Sequence, residues 1–296
     1  MSPVWLITGS SSGFGFSLAR IALRAGHRVI ATSRNPSKTP ELVSEIESLG
    51  GKWLALDVCD PNIADVIEQA IAVYGQIDIL VNNAGYSLLG AWEDMSDSEV
   101  RGQMETNFFA PVKITQLLLP SMRARKSGTI VNISSVGGIS ALPSNGIYAS
   151  SKFALEGMLL FLYISTAFTE SLSAEIAPFN ITCLIVEPGG FRTNFLNSYV
   201  TTAKPLTKDY EGTVVDNILK LFGQLHGKQG GDVEKGCQAI FDVVTGTGSA
   251  AGKERMLRLP LGTDAAGLIR QKAESLIDML DKQKDIWSKT DVDQDS

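Results

Sequence analysis

A doubly wound α/β fold, with one parallel sheet and helices on both faces, is what the sequence predicts, and three observations carry it. Short apolar runs rich in Val, Ile and Leu alternate with helix-length stretches from the start of the chain. These runs are nearly continuous, as parallel strands buried on both faces require, whereas half-exposed strands alternate. A glycine-rich turn, Thr8-Gly-Ser-Ser-Ser-Gly-Phe-Gly15, ends the first run and opens the first helical stretch. β-α-β alternation of this kind builds a sheet with helices packed on both sides.

The first strand is expected at VWLIT (4–8), with a helix running to about Ala25. RVIATS (28–33), β-branched and apolar, is the second strand; a Pro/Ser loop and a helix around 40–49 follow. WLALD (53–57) precedes Pro61, a helix to Tyr74 and the fourth strand DILVN (78–82). Helices near 96–106 and 108–126 lead into TIVNIS (129–134); another helix begins near Tyr148 and precedes ITCLIVE (181–187), and RMLRLP (255–260) is a late short strand. No linker of the usual composition divides the chain. One domain is therefore expected over 1–285, with a lid insertion at about 190–253 that includes GKQGGD (227–232), and a polar tail at 286–296.

With 44% hydrophobic and 20% charged residues, the 296-residue chain has the composition of a globular protein. A net charge of −6 argues against nucleic acid as a partner, because phosphate neutralisation needs clustered Lys and Arg. The three cysteines, Cys59, Cys183 and Cys237, are far apart and outside any CxxC, which suits free thiols in a reducing compartment, and the cytoplasm is the expected location. Only His27 and His226 are available as imidazoles, so neither a zinc site nor a Ser-His-Asp hydrolase is expected. No basic, apolar leader precedes VWLIT, and the apolar run at 158–164 is far short of the roughly 20 residues of a membrane span.

The glycine turn lets main chain approach a pyrophosphate, and the helix start behind it offers unpaired N–H groups. Its spacing is TGxxxGxG rather than GxGxxG. Tyr148 and Lys152 stand four residues apart, on one face of a helix. A free phenol has a pKa near 10 and needs help to exchange protons near neutrality. The charge of Lys152 would favour the phenolate, as would a further positive charge beside it.

The glycine turn, Asn82-Asn-Ala-Gly85, Asn107 in METNFFAPV, Ser135, Tyr148-Ala-Ser-Ser-Lys152 and Pro188-Gly-Gly-Phe-Arg-Thr193 occur together in this order. The set resembles the short-chain dehydrogenase/reductase family over roughly residues 4–260. SVGG (135–138) and SKFALEG (151–157) are similar to the branch holding hydroxysteroid and retinol dehydrogenases. The resemblance implies a single Rossmann-type domain and oxidoreduction of a hydroxyl/keto pair, with a nicotinamide cofactor. Tyr148 is then the general acid/base, Lys152 its helper and Ser135 the hydrogen bond to the substrate oxygen, while Asn107 would hold a relay water behind Lys152. Thr8, Gly9, Ser11, Ser12, Gly13, Phe14, Gly15, Asn83, Ala84, Gly85, Asn107, Tyr148, Lys152, Pro188, Gly189, Phe191 and Thr193 become the expected cofactor contacts, and Asp57-Val58 the adenine pair. A homodimer or homotetramer is expected from the same source.

At the end of the second strand an NAD enzyme usually carries an acid for the ribose 2′-hydroxyl, and this chain has Ser33 and Arg34 instead. NADP(H) is therefore favoured over NAD(H), with Arg34 pairing the 2′-phosphate; the other reading makes Arg34 a solvated loop cation. Tyr86, Leu88, Leu89, Ile139, Leu142, Phe191, Phe195 and Tyr199 fall in loops beyond the strand ends. They either line a site for an apolar carbonyl or alcohol or pack the lid onto the body. Arg192 and Lys204 either meet an acidic substrate group or face water. Two rivals stay open: an NAD-dependent alcohol dehydrogenase, and a nucleotide-sensing protein without turnover.

Against the family pattern, MLLFLYISTA (158–167) is an insertion between SKFALEG and FTESLSAEIAP. Ten residues in a continuous helix would leave the downstream face rotated by about 80°, so a kink or an extruded loop is expected. A surface or interface bulge, a sequence artefact and a membrane or partner contact are the three explanations.

Overall fold

The computed structural model describes residues 2–157, 168–224 and 227–292. In chain order the elements are β1 Val4–Ile7, α1 Gly13–Arg24, β2 Arg28–Ser33, α2 Pro40–Ser48, β3 Lys52–Ala55, α3 Ile63–Tyr74 and β4 Ile79–Asn82. Next come β5 Leu88–Leu89, α4 Asp97–Met104, α5 Ala110–Arg125, β6 Gly128–Ile133, α6 Gly146–Glu156, α7 Phe168–Ile176 and β7 Ile181–Pro188. The chain continues through β8 Val200–Thr201, α8 Val214–Gln224, α9 Val233–Thr245, β9 Arg258–Leu261, α10 Thr263–Lys282 and α11 Lys284–Trp287.

Seven of these strands form one sheet in the order β3-β2-β1-β4-β6-β7-β9, and every pairing is parallel. The expected doubly wound sheet is present. β1 shows why its sequence is uniformly apolar: Trp5 and Ile7 point into one core, and Val4 and Leu6 into the other. The first core lies under α1, α2 and α9, and the second under α3, α5 and α7. Burying each such side chain contributes roughly 1.5–3 kcal/mol. The stretch expected as a lid divides in two. Residues near β8 lie over β5 in a two-stranded ribbon, whereas α9 is a core helix, packing Cys237, Ile240 and Phe241 with the α1 and β1 side chains.

The last strand, expected at 255–260, runs Arg258–Leu261 at the sheet edge, next to β7. The two helices expected either side of residue 107 form a continuous run, α4 and α5 joined by a π turn at Glu105–Phe109. Residues 158–167, His226 and the last residues of the tail, 293–296, lie outside the described residues. Among the described residues, no helix is long and apolar enough to cross a membrane.

Candidate active site

The strand order turns back between β1 and β4, and in open parallel sheets ligands bind beyond the carboxyl ends at such a point. The glycine turn sits there. Gly9 (φ 67°) and Gly13 (φ 53°) adopt left-handed backbone. A methyl group on Gly15 would lie 2.6 Å from both Asn83 Nδ2 and Gly9 O, so this glycine is required by close packing. The Ser12 side chain makes no cap bond and the first turn of α1 carries no acid. The leading N–H groups of α1 are left for an anion, so the turn fits the pyrophosphate of a dinucleotide.

Two of the predicted cofactor contacts act as braces. Thr8 Oγ1, buried, accepts from Asn83 N (2.9 Å) and Ala84 N (3.0 Å). Asn83 Nδ2 donates to Thr8 O (2.9 Å) and Gly9 O (3.0 Å). Together they tie the glycine turn to the NNAG segment after β4. At the end of β2, Arg34 is exposed, while the buried Ser33 Oγ accepts from Trp53 Nε1 at 3.1 Å and keeps its own proton to donate. Asp57 is exposed and Val58 buried after β3.

After β7, Gly190 N donates to Asp264 Oδ2 (2.7 Å). The Phe191 ring packs edge-on against Phe14, centroids 5.1 Å apart, and a methyl group on Gly231 would lie 2.6 Å from it. The Phe191 side chain thus packs behind the turn. Thr193 reaches the glycine turn, 3.2 Å from where a Gly13 Cβ would stand.

Opposite, α6 presents Tyr148 and Lys152 to the end of β6. A methyl group on Gly137 would touch both Tyr148 Cε1 (3.3 Å) and Ser135 Oγ (3.4 Å), so the phenol and the serine flank one glycine. Gly137 N donates to Ser135 Oγ (3.0 Å) and orients it. Lys152 Nζ donates to Ile133 O (2.8 Å) and lies 5.8 Å from the Tyr148 ring centroid.

Burial pushes the Tyr148 phenol up to about 12, Ser135 hydrogen bonding opposing the shift and the Glu156 charge adding to it. Burial lowers Lys152 to about 8, against the pull of Glu156. In the protein alone, burial favours the Tyr148 phenol over its charged form, whereas the expected preference for phenolate includes a further positive charge, that of an oxidised nicotinamide.

Asn107 sits in the π turn, a local widening frequent at functional positions. Its Nδ2 donates to Tyr86 O and Ser151 Oγ (both 3.0 Å), and its Oδ1 accepts from Tyr86 N (3.2 Å). The amide fastens the loop after β4 to α6. Gln103, one turn earlier, shares the work: Nε2 donates to Tyr86 O (2.9 Å) and Oε1 accepts from Leu88 N (2.7 Å). The i, i+4 spacing of Gln103 and Asn107 was the signal by which sequence reasoning could have found it.

On the substrate side, Phe195 lies against Tyr148, ring centroids 5.7 Å apart, and Leu142 is exposed. Leu88, Leu89 and Ile139 are buried packing residues. Lys204 Nζ pairs with Asp94 Oδ1 (2.5 Å) and Arg192 Nε donates to Gln229 O (2.6 Å), so the lid uses both cations internally.

A parallel sheet with an anion-binding glycine turn at its switch point, faced by a Tyr–Lys pair and a serine, defines a dinucleotide-binding α/β enzyme. The sequence pattern of the family described as short chain dehydrogenase matches residues 3–204. "Oxidoreductase claN" of Passalora fulva is 44% identical over 74% of this chain and 95% of its own. "3-Ketodihydrosphingosine reductase" of Bacteroides thetaiotaomicron is 40% identical over 74% and 76%, and "Retinol dehydrogenase 8" of Homo sapiens 33% identical over 87% and 83%. A solved short-chain dehydrogenase from Streptomyces avermitilis superposes with a TM-score of 0.83 at 35% identity, covering 98% of both chains. The chain belongs to the short-chain dehydrogenase family and is an oxidoreductase.

Proposed function

We propose that the protein interconverts a ketone or aldehyde with the matching alcohol, using NADP(H) and Tyr148 as proton donor and acceptor. The observation that carries this reading is the convergence of Tyr148, Ser135 and Lys152 at the end of β6, beside the glycine turn. The cofactor, when bound, supplies or accepts the hydride. Ser11, Ser12, Gly13, Phe14 and Gly15 would hold its pyrophosphate through main chain, Ser33 and Arg34 its 2′-phosphate, and Asp57 and Val58 its adenine. Gly85, Pro188, Gly189 and Thr193 would close the site towards Lys152.

Tyr148 keeps its proton until charge develops on the carbonyl oxygen, which is what a general acid must do. Ser135, oriented by Gly137 N, donates to the same oxygen. Lys152 offsets the charge left on the phenolate, and Asn107 holds α6 in place through Ser151. Phe195 and Leu142 favour an apolar substrate. Relatives named for a keto compound and for an alcohol support the hydroxyl/keto pair. The three cysteines are unpaired, which supports a cytoplasmic site of action, and a homodimer or homotetramer remains the expected assembly.

The test is a panel of carbonyls and alcohols followed by nicotinamide absorbance, with NADPH and NADH in parallel. Tyr148→Phe should keep cofactor affinity within a few fold and lose about 10²–10⁴ in kcat. Turnover that survives this substitution would overturn the mechanism.

A further inference from the structure

α6 is fastened to the end of β6 at three places, and the proposed chemistry uses two. Residues 148, 152 and 156 fall on one helix face. Tyr148 meets Ser135 around Gly137, and Lys152 Nζ meets Ile133 O. Between those strand residues, Ser134 Oγ donates to Glu156 Oε1. Glu156 is fully buried, and a methyl group on Gly138 would collide with its carboxylate.

Behind it stands Arg258 on β9. One Nη donates to Glu156 Oε2 (2.7 Å) and to Glu187 of β7; the other donates to Glu170 of α7 (2.6 Å) and to Gly157 O (2.7 Å). Three carboxylates thus share one guanidinium, and the charged or titratable groups around Glu156 are Arg258, Glu187, Glu170, Lys152 and Tyr148.

We propose that Glu156 is a positioning residue for the reduction, fixing α6 on β6 through Ser134 and Arg258 and placing a negative charge behind Lys152. This rests on the reading of Tyr148 and Lys152 given above. A fold that needed only packing here would use an apolar side chain, because a buried carboxylate is costly even when paired. Burial and the neighbouring Glu187 raise the pKa of Glu156. Its charge in turn opposes the burial that strips Lys152 of its proton.

The test compares Glu156→Gln, Glu156→Asp and Ser134→Ala in the full chain, with Tyr148→Phe alongside. The titration of Lys152 is followed by side-chain NMR with Lys152→Met as the blank, and kcat/KM with NADPH is followed against pH. Glu156→Gln should lower the Lys152 pKa by about one unit and carry the basic limb of the rate profile down with it. Glu156→Asp, keeping the charge, should leave both in place. Ser134→Ala should cut kcat several-fold with NADPH affinity unchanged. If Glu156→Gln leaves the Lys152 titration unmoved, the proposal is overturned; if that variant does not fold, an unchanged kcat in Ser134→Ala overturns it. Full turnover in Tyr148→Phe would instead sink the underlying mechanism, which keeps the two failures apart.

Discussion

Thr169 Oγ1 donates to Leu155 O, the bond a threonine makes to the carbonyl four residues earlier in a continuous helix. Counted without residues 158–167, Thr169 is four after Leu155, and Glu170 four after Glu156, with which it shares Arg258. The helix start at Phe168 therefore takes up the register that α6 leaves at Gly157, where φ is 76°. Leu172 and Ile176 still face the core in spite of the ten-residue offset.

Deleting 158–167 should accordingly join α6 to α7 and leave the site intact. Shortening the chain by ten residues between the fixed ends of α6 and α7 is worth on the order of 2 kcal/mol. We expect a melting temperature raised by a few degrees, unchanged cofactor affinity and kcat within about two-fold of the parent. A variant that melts lower or loses turnover would show that these ten residues do more than interrupt the helix.

How much of this was legible beforehand depended on how local the cause was. β2 was read to the residue, because Arg28–Ser33 is a buried run bounded by turn residues. Tyr148 and Lys152 were legible through their i, i+4 spacing and Ser135 through the family resemblance, and the structure brings the three together. The π turn at Asn107 was not legible, since an i→i+5 turn has no composition of its own. Nor was α10, whose 20 residues bury only Ala265 and so lack a core-facing stripe to betray a helix. Arg258 was hidden for the opposite reason, its three carboxylate partners lying 71 to 102 residues away.

Arg34 is exposed at the carboxyl end of β2, where the chain reads Ser33-Arg34-Asn35 without an acid. Arg34→Ala should weaken NADPH binding about 10- to 100-fold, the worth of a charge-assisted bond, and leave NADH binding nearly untouched. Fluorescence titration of both cofactors checks this. Equal losses for the two would return Arg34 to the role of a solvated loop cation.

Lys152 carries a stability signature with a definite sign. Burial takes it from an ordinary 10.5 to about 8, so between those values the unfolded chain binds more protons than the folded one. Stability attributable to this lysine rises with pH across that window, and the buried ammonium costs most below it. Lys152→Met should be about 1–2 kcal/mol more stable than the parent at pH 7, after the loss of the Ile133 bond. That advantage should vanish near pH 10. Urea unfolding at both pH values measures it, and a difference independent of pH would contradict the assignment.

Two carboxylates anchor the lid: Glu99 Oε1 accepts from Ala203 N (2.7 Å), and Asp94 makes the larger set of bonds. Asp94 accepts from Lys204 Nζ (2.5 Å), Thr207 N (2.9 Å) and Thr207 Oγ1 (2.6 Å), while Leu88–Leu89 pairs with Val200–Thr201 just upstream. The Lys204 bond first, then those from Thr207, hold the Asp94 carboxyl down at about 2. A lowered folded pKa means that the clasp is complete above the ordinary carboxylate range and is lost only as pH falls towards 2. Asp94→Asn turns an amide N–H₂ towards donors and leaves Lys204 with only its bond to Thr207 Oγ1 (3.0 Å), so the clasp should open at every pH. Hydrogen exchange at pH 6 should then quicken at least ten-fold for the amides of Val200, Thr202 and Thr207, with β1 and β4 unchanged. Because the same segment leads back to Phe195 beside Tyr148, KM should rise more than kcat falls. Exchange as slow as in the parent would mean that the strand pairing and the Ala203–Glu99 bond hold the lid without Asp94.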